Sequence, residues 1–193
     1  MVKIVLIRPG STDYDEQRRI QGTLDVPLNE QGNAEVARLI DALRDLKLGA
    51  VYAPACQPAL ATGQAIAKAF DIKLRKLEQM RNLDHGLWQG MLIDEVRLKQ
   101  PKVYRQWQEK PWCICPPQGE MLNQAADRIR AAMAKLLKRH KDGAIGLVVS
   151  EPLASLVRCL FNHGETGNLW KATSEHGRWE VLEVQPETLA HSS

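Results

Sequence analysis

The chain has 193 residues, of which 44% are hydrophobic and 25% charged, so its composition is that of one globular domain and excludes a disordered, collagenous or membrane protein. Its formal net charge of +3 is too small to favour nucleic acid or an anionic membrane as a partner. The four cysteines lack a CxxC spacing and no HExxH motif is present. We therefore expect reduced thiols in a cytoplasmic protein with no metal ion and no cofactor.

Apolar runs and helical stripes alternate along the chain. Continuous apolar runs predict buried strands, and apolar side chains at spacings of three and four residues predict helices. Proline suits the first turn of a helix, which favours helix starts at Pro58 and Pro152. In chain order we predict a strand at 2–7, a polar loop, a helix at 32–46, a strand at 50–53, a helix at 58–70, a strand at 72–77, interrupted helices at 91–110, a loop at 111–119, a helix at 121–139, a strand at 145–150, a helix at 152–161 and an edge strand at 178–184.

This alternation predicts an α/β fold, a three-layer α/β/α sandwich with a mostly parallel sheet. We expect a single domain over 1–185, a helical lid inserted at about 91–120 and a loose tail at 186–193. Ligands of such sheets bind outside the carboxyl ends of the strands. Residues 8–11, after the first strand, and 150–152, after a later strand, are therefore the positions to inspect.

The segments at these positions resemble the histidine phosphatase superfamily, which has the phosphoglycerate mutase-like fold. The first of them, Ile4-Val-Leu-Ile-Arg-Pro-Gly-Ser-Thr12, is similar to the family's strand that ends in Arg-His-Gly-Glu-Thr. Further similar segments follow in the family's order at 21–22, 25–32, 51–67, 84–90, 116–120 and 148–151. The resemblance covers almost the whole chain and implies the same three-layer fold.

The resemblance also implies a set of catalytic positions. In the family a neutral His attacks phosphorus, two Arg and a second His hold the phosphoryl oxygens, and an acid protonates the leaving group. Here the first Arg is present as Arg8, whereas the nucleophile position holds Pro9, the second Arg position Pro58, the acid position Asn82 and the second His position Glu151.

These replacements remove the chemistry of the family. Pro9 offers no nucleophile and no N–H, and Pro58 removes a bidentate donor of charged hydrogen bonds. Glu151 puts a negative charge where a phosphate dianion would lie. We expect an Arg8–Glu151 ion pair that closes the pocket. Prolines suit helix starts and strand ends, so the same replacements are mild for the fold.

We therefore expect a degenerate phosphate pocket with no catalytic residue. Its predicted members are Arg8, Pro9, Gly10, Ser11, Gln21, Pro58, Asn82 and Glu151. His85 replaces an aromatic residue of the family near this pocket and is a candidate accessory group, either a surrogate acid or a ligand-binding side chain. Ordinary packing in place of that ring is the competing interpretation.

Three functions are compatible with this pattern. The first is a catalytically inactive member of the family, a pseudo-phosphatase that binds an unknown protein or small-molecule ligand. The second is a diverged phosphatase or other hydrolase that uses Glu151 and Arg8 in place of the family histidines. The third is a structural scaffold that acts as a homodimer. None of them involves nucleic acid or a membrane as partner.

Overall fold

The computed structural model describes residues 1–162 and 176–184, so the predicted tail at 186–193 lies outside the described residues. A five-stranded sheet forms the centre, with the strand order β3-β2-β4-β1-β5. The strands are β1 (Val2–Ile7), β2 (Leu48–Ala53), β3 (Lys73–Lys76), β4 (Ala144–Val148) and β5 (Trp179–Val184). The four strands β1 to β4 are parallel and β5 runs antiparallel to β1 at the edge, so the sheet is mostly parallel, as predicted.

Helices join the strands and cover both faces of the sheet. They are α1 (Asp13–Glu16), α2 (Glu30–Leu43), α3 (Ala59–Phe70), α4 (Ile93–Lys99), α5 (Pro101–Glu109), α6 (Leu122–Arg139) and α7 (Leu153–Asn162). None of the helices in the described part of the chain is long and apolar enough to cross a membrane.

The side chains of β1 point alternately to the two faces of the sheet, which accounts for a helical layer on each face. Val5 and Ile7 point into one hydrophobic core, which they share with α2 and α3. Ile4 and Leu6 point to the opposite face, into a larger core with α6 and α7. Because successive side chains of a strand point to opposite faces, this continuous apolar run needs a helical layer on each side. The three-layer prediction is confirmed.

The differences from the predicted elements are local. The polar loop after β1 contains the four-residue helix α1, which Thr12 and Asp15 cap reciprocally in a Thr-x-x-Asp spacing. Helix α2 begins at Glu30, earlier than predicted, because the Asn29 side chain accepts a hydrogen bond from Gly32 N and caps its first turn. Pro58 and Pro152 each lie one residue before a helix instead of inside its first turn.

The topology brings two distant segments of the chain together. Strands β1 and β4 are hydrogen-bonded neighbours and run in parallel, with Ile7 opposite Val148. Their carboxyl ends therefore lie side by side, and the residues that follow them, Arg8 and Glu151, share one edge of the sheet. Helices α4 and α5 fall within the segment at about 91–120 that is predicted as a helical lid, and its role as a lid stays a prediction.

Candidate functional site

A cavity of about 600 Å³ opens at this edge of the sheet. All but one of the residues predicted for the pocket line it: Arg8, Pro9, Ser11, Gln21, Pro58, Asn82, His85 and Glu151. The exception is Gly10, whose Cα packs against the backbone of Gly32, where a Cβ would collide with the Gly32 carbonyl. Glycine at this position therefore serves the close approach of the β1 end to α2.

Arg8 forms the centre of the floor and is almost fully buried, with 3% of its side chain exposed. Its Nε donates to Glu151 Oε1 at 3.0 Å, and its Nη2 lies 2.7 Å from Glu180 Oε1. Burial alone would lower the pKa of Arg8, but the two carboxylates raise it above its ordinary value. The predicted Arg8–Glu151 ion pair is present, and Glu180, which we did not predict as part of the site, adds a second carboxylate to it.

Both carboxylate oxygens of Glu151 are engaged. Oε1 accepts from Arg8, whereas Oε2 accepts from Ser155 N at 3.0 Å and from Ser155 Oγ at 2.8 Å. Ser155 lies in the first turn of α7, so the carboxylate also caps the positive end of that helix. The Glu151 side chain, 4% exposed, therefore occupies the position of an anion bound between an arginine and a helix N-terminus.

The backbone donors beside Arg8 are engaged as well. Gly10 N donates to Thr62 Oγ1 at 3.3 Å, and Ser11 N and Ser11 Oγ donate to Glu35 Oε2 at 2.8 and 2.7 Å. Burial would raise the pKa of Glu35, but the hydrogen bonds from Gln31 and Ser11 lower it, so Glu35 stays a carboxylate. The loop after β1 thus directs its donors to internal acceptors instead of into the cavity.

Asn82, at the position of the family's acid, acts as a structural amide. Its Nδ2 donates to the Glu151 carbonyl oxygen at 3.0 Å and its Oδ1 accepts from Leu83 N at 2.8 Å. Arg128 holds this segment in place: it is paired with Glu120 and donates to the carbonyl oxygens of Gln79, Arg81 and Asn82. The side chain of Asn82 is therefore placed by the fold to support the Glu151 backbone.

The wall opposite Arg8 carries aromatic groups from the predicted lid. Trp107 of α5 is 2% exposed and packs edge-on against Trp88, with ring centroids 6.0 Å apart. The His85 ring lies 5.5 Å from the Trp107 ring and also lines the cavity. Tyr104, about one turn of α5 before Trp107, and Gln108, the next residue after it, also line the cavity.

His85 is expected to make the protein sensitive to acid. Burial lowers its pKa to about 4, although Asp84 and Glu120 act to raise it. In the unfolded chain the group takes up a proton near pH ~6.5, so between this pH and about 4 the unfolded state binds more protons. The free energy of unfolding should therefore fall as the pH drops through this window, by on the order of 3 kcal/mol.

The variant His85→Phe should lose this part of the pH dependence. Urea unfolding of both proteins at about pH 7 and about pH 4.5 measures the difference. Equal losses of stability in the wild-type protein and in the variant would show that His85 is not the group responsible.

Sequence reasoning missed three side chains of the site. In β5 every second residue faces inward, and Leu182 and Val184 are buried on this face. Glu180 lies on the same face, so the sequence pattern could have indicated a carboxylate that points into the protein.

Ser155 lies only four residues after Glu151, so a local contact across the first turn of α7 was a usable signal as well. Glu35 carries no such signal, because it lies on α2, 24 residues along the chain from Ser11.

The chain matches the model of the histidine phosphatase superfamily (branch 1) over residues 4–191. It is 26% identical over 185 residues to phosphoserine phosphatase 1 of Hydrogenobacter thermophilus, covering 96% of this chain and 88% of that protein. It is 30% identical over 149 residues to phosphoglycerate mutase-like protein 4 of Arabidopsis thaliana, covering 76% of this chain and 65% of that protein.

Solved structures show the same fold. Bacillus stearothermophilus YhfR superposes with a TM-score of 0.84 at 24% identity, covering 96% of this chain and 92% of its own. Mycobacterial glucosyl-3-phosphoglycerate phosphatase Rv2419c, in its complex with VO3, superposes with a TM-score of 0.83 at 22% identity, covering 94% of this chain and 92% of its own. With the family model matched along almost the whole sequence, the chain belongs to the histidine phosphatase superfamily, branch 1.

Proposed function

We propose that this protein is a catalytically silent member of the superfamily, a pseudo-phosphatase that binds a ligand in the former phosphate pocket. The observation that carries the proposal is the state of Arg8, whose guanidinium group lies against the carboxylates of Glu151 and Glu180. An arginine held by two internal carboxylates offers no net positive charge to a phosphate group.

The nucleophile is absent at the position where the family has one. Pro9 follows Arg8 and lines the cavity, but its ring has no group that could form a bond to phosphorus. Neither Pro58 nor Pro152, which also line the cavity, supplies an N–H or a charge. On this proposal the pocket is a cavity of about 600 Å³ without the attacking group and without the clamp for the phosphoryl oxygens.

The hydrolase alternative, with Glu151 as base or nucleophile, has less support. A carboxylate that acts in either role needs an oxygen directed at the substrate or at a water molecule. Both oxygens of Glu151 accept hydrogen bonds from Arg8 and Ser155, and the side chain is 4% exposed. The scaffold alternative stays a prediction, which a mass measurement in solution would test.

Hydrolysis of p-nitrophenyl phosphate and of phosphoserine, from about pH 5 to about pH 9, tests the proposal. We expect no release of p-nitrophenol or phosphate above the blank, and no phospho-enzyme after acid quenching, because Pro9 has no group that could carry the phosphoryl group. Phosphoserine phosphatase 1 of Hydrogenobacter thermophilus, purified in the same way, is the positive control.

Glu151→Ala and Arg8→Met are the informative variants. A rate in the wild-type protein that disappears in Glu151→Ala would contradict catalytic silence and favour the diverged hydrolase. Absence of turnover in the wild-type protein and both variants supports the pseudo-phosphatase.

A further inference from the structure

Resting on the proposed function, we infer that the pocket binds an uncharged, ring-bearing hydroxy compound and discriminates against the phosphate monoester of the same compound. The ligand would thus correspond in kind to the alcohol that a phosphatase releases, and not to the ester that it cleaves. The inference depends on the charge at the floor, the donors around it and the composition of the walls.

The formal charge at the floor cancels. Glu180 contacts Arg8 and also lies 3.6 Å from Arg158 Nη1, so the group contains two arginines and the carboxylates of Glu151 and Glu180. A phosphate dianion that reached Arg8 would lose its hydration and meet Glu151 in a group of side chains that carries no net positive charge. An uncharged ligand avoids this penalty.

Several hydrogen-bond donors beside Arg8 are engaged by acceptors within the protein. The N–H groups of Gly10, Ser11 and Ser155 donate to side chains of the protein. The Gln21 amide, which also lines the cavity, donates to the carbonyl oxygens of Leu24 and Gln57. Phosphate recognition depends on several donors converging on one group, and the donors of this floor converge on internal oxygens instead.

The walls suit a ring with hydroxyl groups. Tyr104 is half-buried and presents aromatic surface to the cavity, backed by the buried rings of Trp107 and neutral His85. Gln108, near the end of α5, adds an uncharged amide whose Nε2 donates to the Tyr104 hydroxyl at 3.4 Å. The other wall carries Asp15 and Glu16 together with Arg18 and Arg19, so its formal charges cancel too. A volume of about 600 Å³ is in the usual range for small-molecule sites.

Matched pairs of alcohols and monoesters test the inference. The probes are benzyl alcohol with benzyl phosphate, uridine with uridine 5′-monophosphate, and inorganic phosphate alone. Binding is followed through the indole N–H resonances of the 15N-labelled full chain, with the Trp107 signal assigned by the variant Trp107→Phe. We expect at least one alcohol to shift the Trp107 resonance, its monoester to bind at least about tenfold more weakly, and inorganic phosphate to cause no shift.

Two variants of α5 localise the binding. Gln108→Trp places a large ring at a residue that lines the cavity, whereas Gln106→Trp makes the same change at an exposed residue of the same helix that is not part of the lining. Gln108→Trp should abolish the shift of the Trp107 resonance by the alcohol, and Gln106→Trp should leave that shift unchanged. A loss in both variants, or in neither, would place the binding elsewhere and contradict the inference.

The outcomes separate this inference from the proposed function. If a monoester binds as tightly as its alcohol, or if neither alcohol binds, the inference is wrong while catalytic silence stands. Release of phosphate during the titrations would instead contradict the pseudo-phosphatase itself.

Discussion

Replacing Arg8 with methionine is expected to lower the free energy of unfolding by about 3–5 kcal/mol, measured by urea denaturation at neutral pH. Methionine fills a similar volume but leaves the Glu151 carboxylate, 4% exposed, without its cation. Removing one partner of a buried ion pair is strongly destabilising, because the remaining charge stays out of water without compensation. Glu180, with 29% of its side chain exposed, recovers part of its hydration.

Two further variants identify the cause. Glu151→Gln keeps an acceptor for Arg8 while Glu180 still compensates the guanidinium, so we expect a smaller loss of about 1–2 kcal/mol. In the double variant Arg8→Met/Glu151→Gln the two losses of stability should not add, because the uncompensated Glu151 charge is gone.

Arg44→Met is the surface control. It breaks an exposed pair with Asp41, in which the two side chains are 66% and 73% exposed, and should lower the free energy of unfolding by less than about 1 kcal/mol. Equal effects of Arg8→Met and Arg44→Met would show that the Arg8 cluster is not a buried ion pair in solution.

Trp107→Ala is expected to lower the free energy of unfolding by about 3–5 kcal/mol, measured by the same denaturation. Trp107 is 2% exposed, packs against Trp88 and His85, and is the buried residue through which α5 joins the core. Its removal would leave a cavity beneath α5 and open the wall of the pocket. A loss of this size is expected only if α5 is packed on the core in solution, because an exposed tryptophan contributes much less to stability.

Trp112→Ala is the matched control for this prediction. Trp112 is the same residue type, five positions along the chain, but 40% of it is exposed. Its replacement should cost about 1 kcal/mol or less. Similar losses for the two tryptophans would contradict the packed position of α5 and leave the lid free to move.

The prolines and Glu151 of the pocket lie at positions where they do not disturb the packing of the fold. The prolines lie at strand and helix ends, where the missing N–H has no ladder or helix partner to lose. Glu151 pairs with Arg8 and accepts from Ser155 in the first turn of α7, so its charge is compensated within the fold. The core of the sheet is therefore compatible with Pro9, Pro58, Pro152 and Glu151 at these positions.

The sequence by itself determined the fold and predicted most of the residues that meet at one cavity. Apolar runs and helical stripes reflect burial directly, and parallel strands bring their carboxyl ends to one edge, so Arg8 and Glu151 were expected to meet. The absence of a nucleophile at Pro9 also followed from the resemblance alone, because no tertiary contact can supply a reactive group that proline lacks.

Only the tertiary structure decided how the charge at the floor is balanced. Glu180 reaches Arg8 because the antiparallel register of β5 sets Glu180 opposite Leu6, and Ser11 reaches Glu35 because the end of β1 packs against α2. Hydrogen bonds depend on atom positions to within a few tenths of an ångström. Periodicity in a sequence places residues on a face but does not set such distances, so the occupied donors of the pocket could be found only in the folded chain.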